Sequence, residues 1–460
     1  MARGKKKEEL TLEEKLEQAL VPVEEQPYEV PENWCWVKLS TISEIYTGNS
    51  INERIKREKY LHQPEGLNFI ATKDIEFDNS IIYNNGVKIS DYDRFKVAPE
   101  NTSLLCIEGG SAGRKLGFTR EKVCFGNKLC AFVSKGCVSK YIYYYLQSDV
   151  FSIQFTNRRH GLIGGVSVKD LSDFFVPITT MKEQQRVVER IEGLFAKLDE
   201  AKEKVQDVIA SIDDNVEALL YKAFTGQLTN DWRNSNIEIE KWENTTLSEI
   251  VSGLKYGSSE KSNYEYKGTP ILRIPNIGDG IVDFSDLKYM SEELKNSSHE
   301  VFEDDILIIR SNGSRDLVGK CALVPKLQER YAYASFLIRM KVTEKVLPEY
   351  LVRFINSSMA RAQMFDKAKS SSGIHNINSK ELGTIKICIP SIEEQKQILV
   401  CIQEFVNKEK RVQEILEEML ASIDRIKKFI LAKAFRGELG TNNPEEESSI
   451  ELLKIILVET

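Results

Sequence analysis

Arginine, lysine, asparagine and serine carry the donors and acceptors that match guanine and adenine edges in the major groove of DNA. This sequence gathers them where short apolar runs stop. In its second half one run ends at Arg273 to Asn276, and another, DILIIR (305–310), ends at Arg310-Ser311-Asn312-Gly313. In its first half the comparable places hold Thr72-Lys73 and the glycine-rich stretch EGGSAGRK (108–115), with Ser111, Arg114 and Lys115. Each half closes with a further polar loop, TNRRHG (156–161) with Arg158 and Arg159, and SSSGIHNIN (370–378) with Ser372, His375 and Asn376. Glycine next to such residues lets backbone N–H groups approach phosphate. Solvated turns have the same composition, so the pattern alone does not separate the two readings.

Catalytic readings fare worse. GSRDLVGKC (313–321) imitates a phosphate-binding loop, but five residues separate Gly313 from Gly319 where four are required, and Cys321 stands in place of Ser or Thr. His299-Glu300 has no second histidine at 303, so it is not a zinc-protease helix. No Asn-Pro-Pro-Tyr or Asp-Pro-Pro-Tyr stretch, which amino-methyltransferases use to hold a flipped base, occurs. Eight cysteines never form a Cys-x-x-Cys pair and only four histidines are present. Free thiols in a reducing cytoplasm are therefore expected, with no metal site. No apolar run approaches the roughly 18 residues of a membrane span, and the basic start MARGKKKEEL has no apolar core after it.

The elements that position these loops come in two copies. Glu183 to Leu228 aligns without a gap on Glu394 to Leu439; Glu-Gln opens both stretches, ASID recurs within them and KAF.G.L closes both. STISEIYTG (40–48) and TTLSEIVSG (245–253) rhyme in the blocks before them, and the four tryptophans lie at or just before the block starts. A chain of 460 residues is too long for one ordinary core, and this is a duplicated block-plus-helix unit. In the first helix Ile191, Leu198, Val205, Ile212 and Leu219 fall seven apart, with Leu194, Ala201 and Val208 between. In the second, Ile402, Leu416, Ile423 and Ile430 are accompanied by Phe405, Val412, Met419 and Ile426. Such spacing predicts a coiled-coil seam, each helix being roughly 60 Å long at 1.5 Å per residue. The nearest cover for one seam is the other copy; separate pairing with other chains is the alternative. Asn215 interrupts the seam opposite Ile426 of the repeat, either to fix register or because it lies at a wet edge.

Net charge is −7, which at first argues against nucleic acid, but its distribution matters more. Residues 31–180 hold 19 Lys and Arg against 16 Asp and Glu, and residues 241–390 hold 21 against 19. The acid lies in the tails and long helices, so phosphate contact by the blocks is permitted though not demanded.

The block–helix–block–helix order resembles the specificity subunit of Type I restriction–modification systems over essentially the whole chain. So do Pro177 and Pro390 ahead of Glu183-Gln184 and Glu394-Gln395, the KAF.G.L termini, ILRIPNIGDG (271–280) and RSNGSRDLVGK (310–320). The resemblance implies an α+β fold of two mixed α/β target-recognition domains joined by two long helices that form an intramolecular antiparallel coiled coil. Its parts are an N-terminal extension with a short helix (1–30), recognition domain 1 (31–180), the first spacer helix (181–230), a linker (231–240), recognition domain 2 (241–390), the second spacer helix (391–440) and a tail with a short helix (441–460). A Thr11…Glu14 capping box marks the first short helix, and 450–459 is a candidate to pair with it. The resemblance further implies a non-enzymatic, cytoplasmic DNA-binding chain that reads a split double-stranded site. It would dock two methylation subunits and, through them, motor-nuclease subunits, with no membrane partner. Cofactors (S-adenosylmethionine, ATP and magnesium) would belong to the partners, none to this chain. The first block is the poorer match. Two other classes compete: a cytoplasmic coiled-coil scaffold with protein-binding blocks, and a self-contained methyltransferase or nuclease.

Overall fold

The computed structural model describes residues 10–159, 164–235, 241–278, 280–367, 369–371 and 374–459. The chain divides into two compact units, Met1–Lys204 with Glu418–Thr460, and Val205–Glu417. The division cuts through both long helices, Met181–Phe224 and Ile392–Ala434.

The two units repeat one element order. In the first, Cys35–Lys38 pairs antiparallel with Phe175–Ile178, closing the block on itself. A four-stranded sheet runs Ser43–Thr47, Leu129–Ser134, Ser103–Cys106, Leu116–Phe118, and a second runs Lys88–Ile89, Leu67–Ile70, Val123–Phe125, Val97–Ala98. In the second unit Glu243–Thr246 closes on Lys386–Ile389. A five-stranded sheet there runs Val251–Tyr256, Leu337–Val342, Ile306–Ile309, Cys321–Leu323, Gly280–Ile281. The strands are short and apolar on both faces, as Ile306 to Ile309 illustrate with exposures of 1% or less, so they read as continuous runs and not as alternation. The helices expected at SKYIYYYLQS and PEYLVRFINS are Ser139–Tyr145 and Pro348–Asn356.

The repeated words of the sequence turn out to be joints. Thr180 and Ser391 cap the long helices, their hydroxyls accepting from the backbone N–H groups of Glu183 and Glu394. A capping-box glutamate would fold back on its own helix, but these two, both with no exposure, reach elsewhere. Glu394 Oε1 accepts from the Thr229 hydroxyl at 2.6 Å and from Arg233 Nη2 at 2.7 Å, and its Oε2 accepts from Trp242 Nε1 at 3.1 Å. Glu183 accepts from the Thr441 hydroxyl at 2.6 Å and from Arg186 Nε at 2.9 Å, and Arg186 continues to Glu446 at 2.8 Å. Each glutamate thus ties the start of one helix to the chain just leaving the end of the other. The neighbouring glutamines do the same for the blocks. Gln184 Oε1 accepts from Val138 N and Gln395 Oε1 from Leu347 N, at 2.9 and 2.8 Å, just before the block helices begin.

The KAF.G.L ends are the other half of each joint. Phe435 packs edge-on against Tyr141 and Tyr145, with ring centroids 5.1 and 5.5 Å apart. Phe224 packs likewise against Tyr350 and Phe354, at 5.4 and 5.2 Å. Gly226 and Gly437 have φ of +77° and +73°, the left-handed conformation in which a side chain is strained. Gln227 N and Glu438 N then reach back to the carbonyls of Lys222 and Lys433, both at 2.9 Å, completing a Schellman stop.

Within each unit the start of one long helix therefore accompanies the end of the other. In the first unit the direction is antiparallel, with Asp199 on Lys427 and Lys202 on Asp424. In the second, Leu220 and Phe224 share a core with Ile398 and Ile402. The seam is narrower than its heptads predict. Ile191, Val205, Ile212, Ile402, Ile423 and Ile430 are buried, and Leu198, Leu219 and Leu416 are half-buried. Of the intermediate positions Leu194, Phe405 and Val412 are half-buried, whereas Val208, Met419 and Ile426 stand in water, 47, 47 and 45% exposed. Asn215 is exposed as well, the wet edge and not a buried register pin. The helix Leu12–Ala19 starts at the expected capping box. It packs in the first unit's core with Ser449–Glu459, through Ala19, Leu453 and Ile456, and Lys15 Nζ donates to Leu457 O at 3.1 Å. Part of the expected linker is helical, Asn230–Asn234; residues 236–240 lie outside the described residues.

Candidate nucleic-acid interface

In the second unit the buried strand Ile306–Ile309 hands the chain to Arg310, which is half-buried. Its backbone is held from two sides: Arg310 N donates to Phe336 O at 2.9 Å, and Arg310 O accepts from Ile377 N at 2.8 Å. The second bond brings the closing loop to the strand end. Ser311 and Asn312 then pair antiparallel with Asn376 and His375, and Ile374–Asn376 pairs with Lys369–Ser371. Four residues named from sequence, Ser311, Asn312, His375 and Asn376, are thereby gathered on one small sheet, with Arg310 directly before its first strand. Ser372 lies outside the described residues.

The Arg310 guanidinium stacks 4.6 Å over the Tyr256 ring, and its Nε lies 3.4 Å from Asn376 Oδ1. Burial opposes ionisation of Tyr256, but hydrogen bonds with Ser379 and the Arg310 charge outweigh it and hold the phenol below its ordinary value. Stacking and hydrogen bonding together aim a guanidinium while leaving donors for a partner, which a solvated turn does not require. Asn312 Oδ1 accepts from Ser314 N at 2.7 Å, fixing the loop beyond.

Arg273 and Asn276 behave differently. Asn276 is 1% exposed. Its Oδ1 accepts from Arg273 N at 2.8 Å and its Nδ2 donates to the carbonyls of Asp283 and Asp286 at 2.9 and 2.8 Å. It braces the turn from inside, a correction to its reading as a presented base reader. Arg273 is ion-paired with Asp286 at 3.1 Å. It lines a cavity of about 270 Å³ with Ser258, Ser335 and Phe336, next to the carbonyl that holds Arg310.

The first unit builds the same frame with other side chains. Ile107 takes the place of Arg310: its N donates to Lys128 O at 3.0 Å and its O accepts from Val166 N at 3.1 Å. The strand end therefore presents no arginine, the physical content of the poorer match. Arg159 comes from the closing loop and donates to the carbonyls of Gly164 and Gly109, at 3.3 and 3.4 Å, and Arg158 lies 3.9 Å from Asp170. Ser111 O accepts from Arg114 N at 3.0 Å within the glycine-rich loop. The other candidates form a second group. Lys115 Nζ donates to Thr72 O at 3.4 Å, Lys73 is exposed beside it, and both Arg114 and Lys115 lie over the Phe77 ring. Sequence reasoning missed the aromatics Phe77, Tyr256 and Phe336, because nothing in their spacing distinguishes a displayed ring from a core one.

Among the described residues no group of His, Cys, Asp and Glu is placed to hold a metal, and no helix is long and apolar enough to cross a membrane.

The sequence model of the family described as "Type I restriction modification DNA specificity domain" matches twice, at residues 31–210 and 239–419. The Type I restriction enzyme EcoKI specificity subunit of Escherichia coli (strain K12) is 27% identical over 94% of this chain and 96% of its own length. The StySPI specificity subunit of Salmonella potsdam is 24% identical over 89% and 90%. Among solved structures, the HsdS subunit from Thermoanaerobacter tengcongensis superposes with a TM-score of 0.57 at 16% identity, over 90% of this chain and 99% of that one. A chain from a study of complex assembly and conformational transition of the type I R-M system gives 0.65 at 16% identity, covering 90% and 100%. At such identities the superpositions speak to fold.

Proposed function

The chain belongs to the Type I restriction modification DNA specificity family, and from that premise we propose that it reads a bipartite double-stranded DNA site, one half with each recognition block, and docks two methylation subunits. The observation that carries this reading is the repetition of one joint. Glu183 and Glu394 hold equivalent positions, each tying a helix start to the chain leaving the other helix, so one polypeptide offers the same helix–block surface twice. The apolar side chains left in water along the second helix, Met419, Ile426 and Phe429 at 47, 45 and 59% exposure, support docking of protein there. Motor-nuclease subunits would join through the methylation subunits in the cytoplasm. Methyl transfer from S-adenosylmethionine and ATP- and magnesium-dependent cleavage would be the partners' chemistry.

The blocks carry only a few excess positive charges between them, and non-specific affinity grows with the number of phosphates neutralised. The chain alone is expected to bind DNA weakly and to transfer no methyl group. Adding methylation subunits is expected to give tight, site-specific binding and adenine methylation together, with two copies per chain by mass measurement. Methyl transfer by the chain alone, or saturation at one copy, would contradict the proposal.

Arg310 is the leading base reader. Arg310→Ala in the assembled complex is expected to cost about 1–3 kcal/mol and to relax preference at one position of one half-site, read by binding to duplexes substituted base by base. A uniform loss over all sequences would make Arg310 a phosphate contact.

A further inference from the structure

Phe77 stands 61% exposed at the tip of a turn that is fixed on every side. Glu76 N donates to Ser80 O at 2.9 Å and Asn79 N to Glu76 O at 3.2 Å. Ser80 N donates to Asp78 Oδ1 at 2.9 Å, and the Asn79 amide anchors the turn to Gln147 at 3.1 Å. The backbone that carries the ring is therefore fixed, while its neighbours Ile75 and Ile81 turn into the core. Two cations sit on it: Lys115 Nζ is 4.9 Å and the Arg114 guanidinium 5.6 Å from its centroid.

The second unit contains the same construction. Tyr264 is 62% exposed, with Lys288 Nζ 5.0 Å and the Arg273 guanidinium 5.9 Å from its centroid. Duplication does not account for it, since Phe77 follows the turn Thr72–Asp74 whereas Tyr264 precedes the strand Pro270–Leu272. Carboxylates are present in both places: Asp78 accepts the turn's own N–H, and Asp286 pairs with Arg273 and hydrogen-bonds Tyr264, which leaves Lys288 as the cation offered beside that ring.

We propose that Phe77 and Tyr264 are DNA-backbone contacts, each ring packing on a deoxyribose of its own half-site while the lysine beside it, Lys115 or Lys288, meets an adjoining phosphate. The proposal rests on the DNA-reading function above and adds to it a contact that positions the duplex without reading its sequence. Sugar and phosphate contacts carry no sequence information, and a ring already bracketed by cations needs little rearrangement to sit against a polyanion.

The test uses the chain assembled with its methylation subunits and fluorescent duplexes carrying the site found by methyladenine mapping. Phe77→Ala and Tyr264→Ala are each expected to weaken binding about tenfold while leaving the preferred sequence unchanged. Phe77→Trp is expected to bind as wild type and, against the background of the four native tryptophans, to change its indole emission when DNA is added. Lys115→Ala is expected to reduce the salt slope of binding by about one. Unchanged affinity in both alanine variants, or no change in the introduced tryptophan's emission on binding, overturns the proposal. So does weakened subunit assembly with unweakened DNA affinity, which would assign the rings to a protein interface. A wild-type assembly that binds no DNA overturns the DNA-reading function and the proposal with it, whereas tight wild-type binding with unaffected variants overturns the proposal alone.

Discussion

Glu394→Ala is expected to destabilise the second unit by about 3–5 kcal/mol, the range for removing one partner of a buried, hydrogen-bonded ion pair. The carboxylate has no exposure and receives Thr229, Arg233 and Trp242. Its loss leaves the Thr229 hydroxyl and Trp242 Nε1 without this acceptor, and the Arg233 charge, 28% exposed at its side chain, retains the Gly226 carbonyl and the Thr229 hydroxyl but no counter-charge among these partners. Glu394→Gln keeps the volume but offers its amide N–H where Trp242 Nε1 needs an acceptor, so it is expected to be nearly as damaging. Chemical denaturation gives the magnitude, and amide exchange should show protection lost first in residues 229–235. A loss below about 1 kcal/mol, the level of an exposed pair, would mean that the glutamate does not hold the joint.

Phe435→Ala is expected to destabilise the first unit by a similar amount, about 3–5 kcal/mol for a large buried ring. Phe435 is 1% exposed and completes an aromatic cluster with Tyr141 and Tyr145. Edge-on pairs of this kind contribute roughly 0.5–1.5 kcal/mol each beyond area burial. For a unit of this size the melting temperature should fall by about 10 °C. Phe435→Leu should recover part of that, because it restores volume but not the edge-on contacts. A fall of less than about 2 °C in Phe435→Ala would place the ring outside the folding core.

Much of this architecture is legible in the sequence because its signals are local or repeated. The Glu-Gln and KAF.G.L words occur twice, and heptad spacing and glycine stops belong to single helices. What stays hidden depends on where polar atoms end up. Asn276 and Asn312 look alike in sequence, both in polar loops after apolar runs, yet the Asn276 amide is consumed by carbonyls at 283 and 286 while Asn312 sits in the loop sheet with His375. Arg310 and Ile107 occupy one frame position, so the frame is legible and the reader placed on it is not. The heptad pattern is broader than the buried seam for a related reason. Heptads mark which side chains can pack, but Val208, Met419 and Ile426 are left exposed.

The central claim, that this chain chooses a two-part DNA site for methylation by its partners, is tested most directly by mapping methyladenine across a genome with the chain's gene intact, deleted and carrying Arg310→Ala. The account predicts one chain-dependent motif of two short sequences separated by a gap of fixed length, methylated in both halves, absent on deletion and relaxed at a single position in one half by the substitution. A methylation pattern that does not change on deletion, or a continuous motif without a fixed gap, would contradict it.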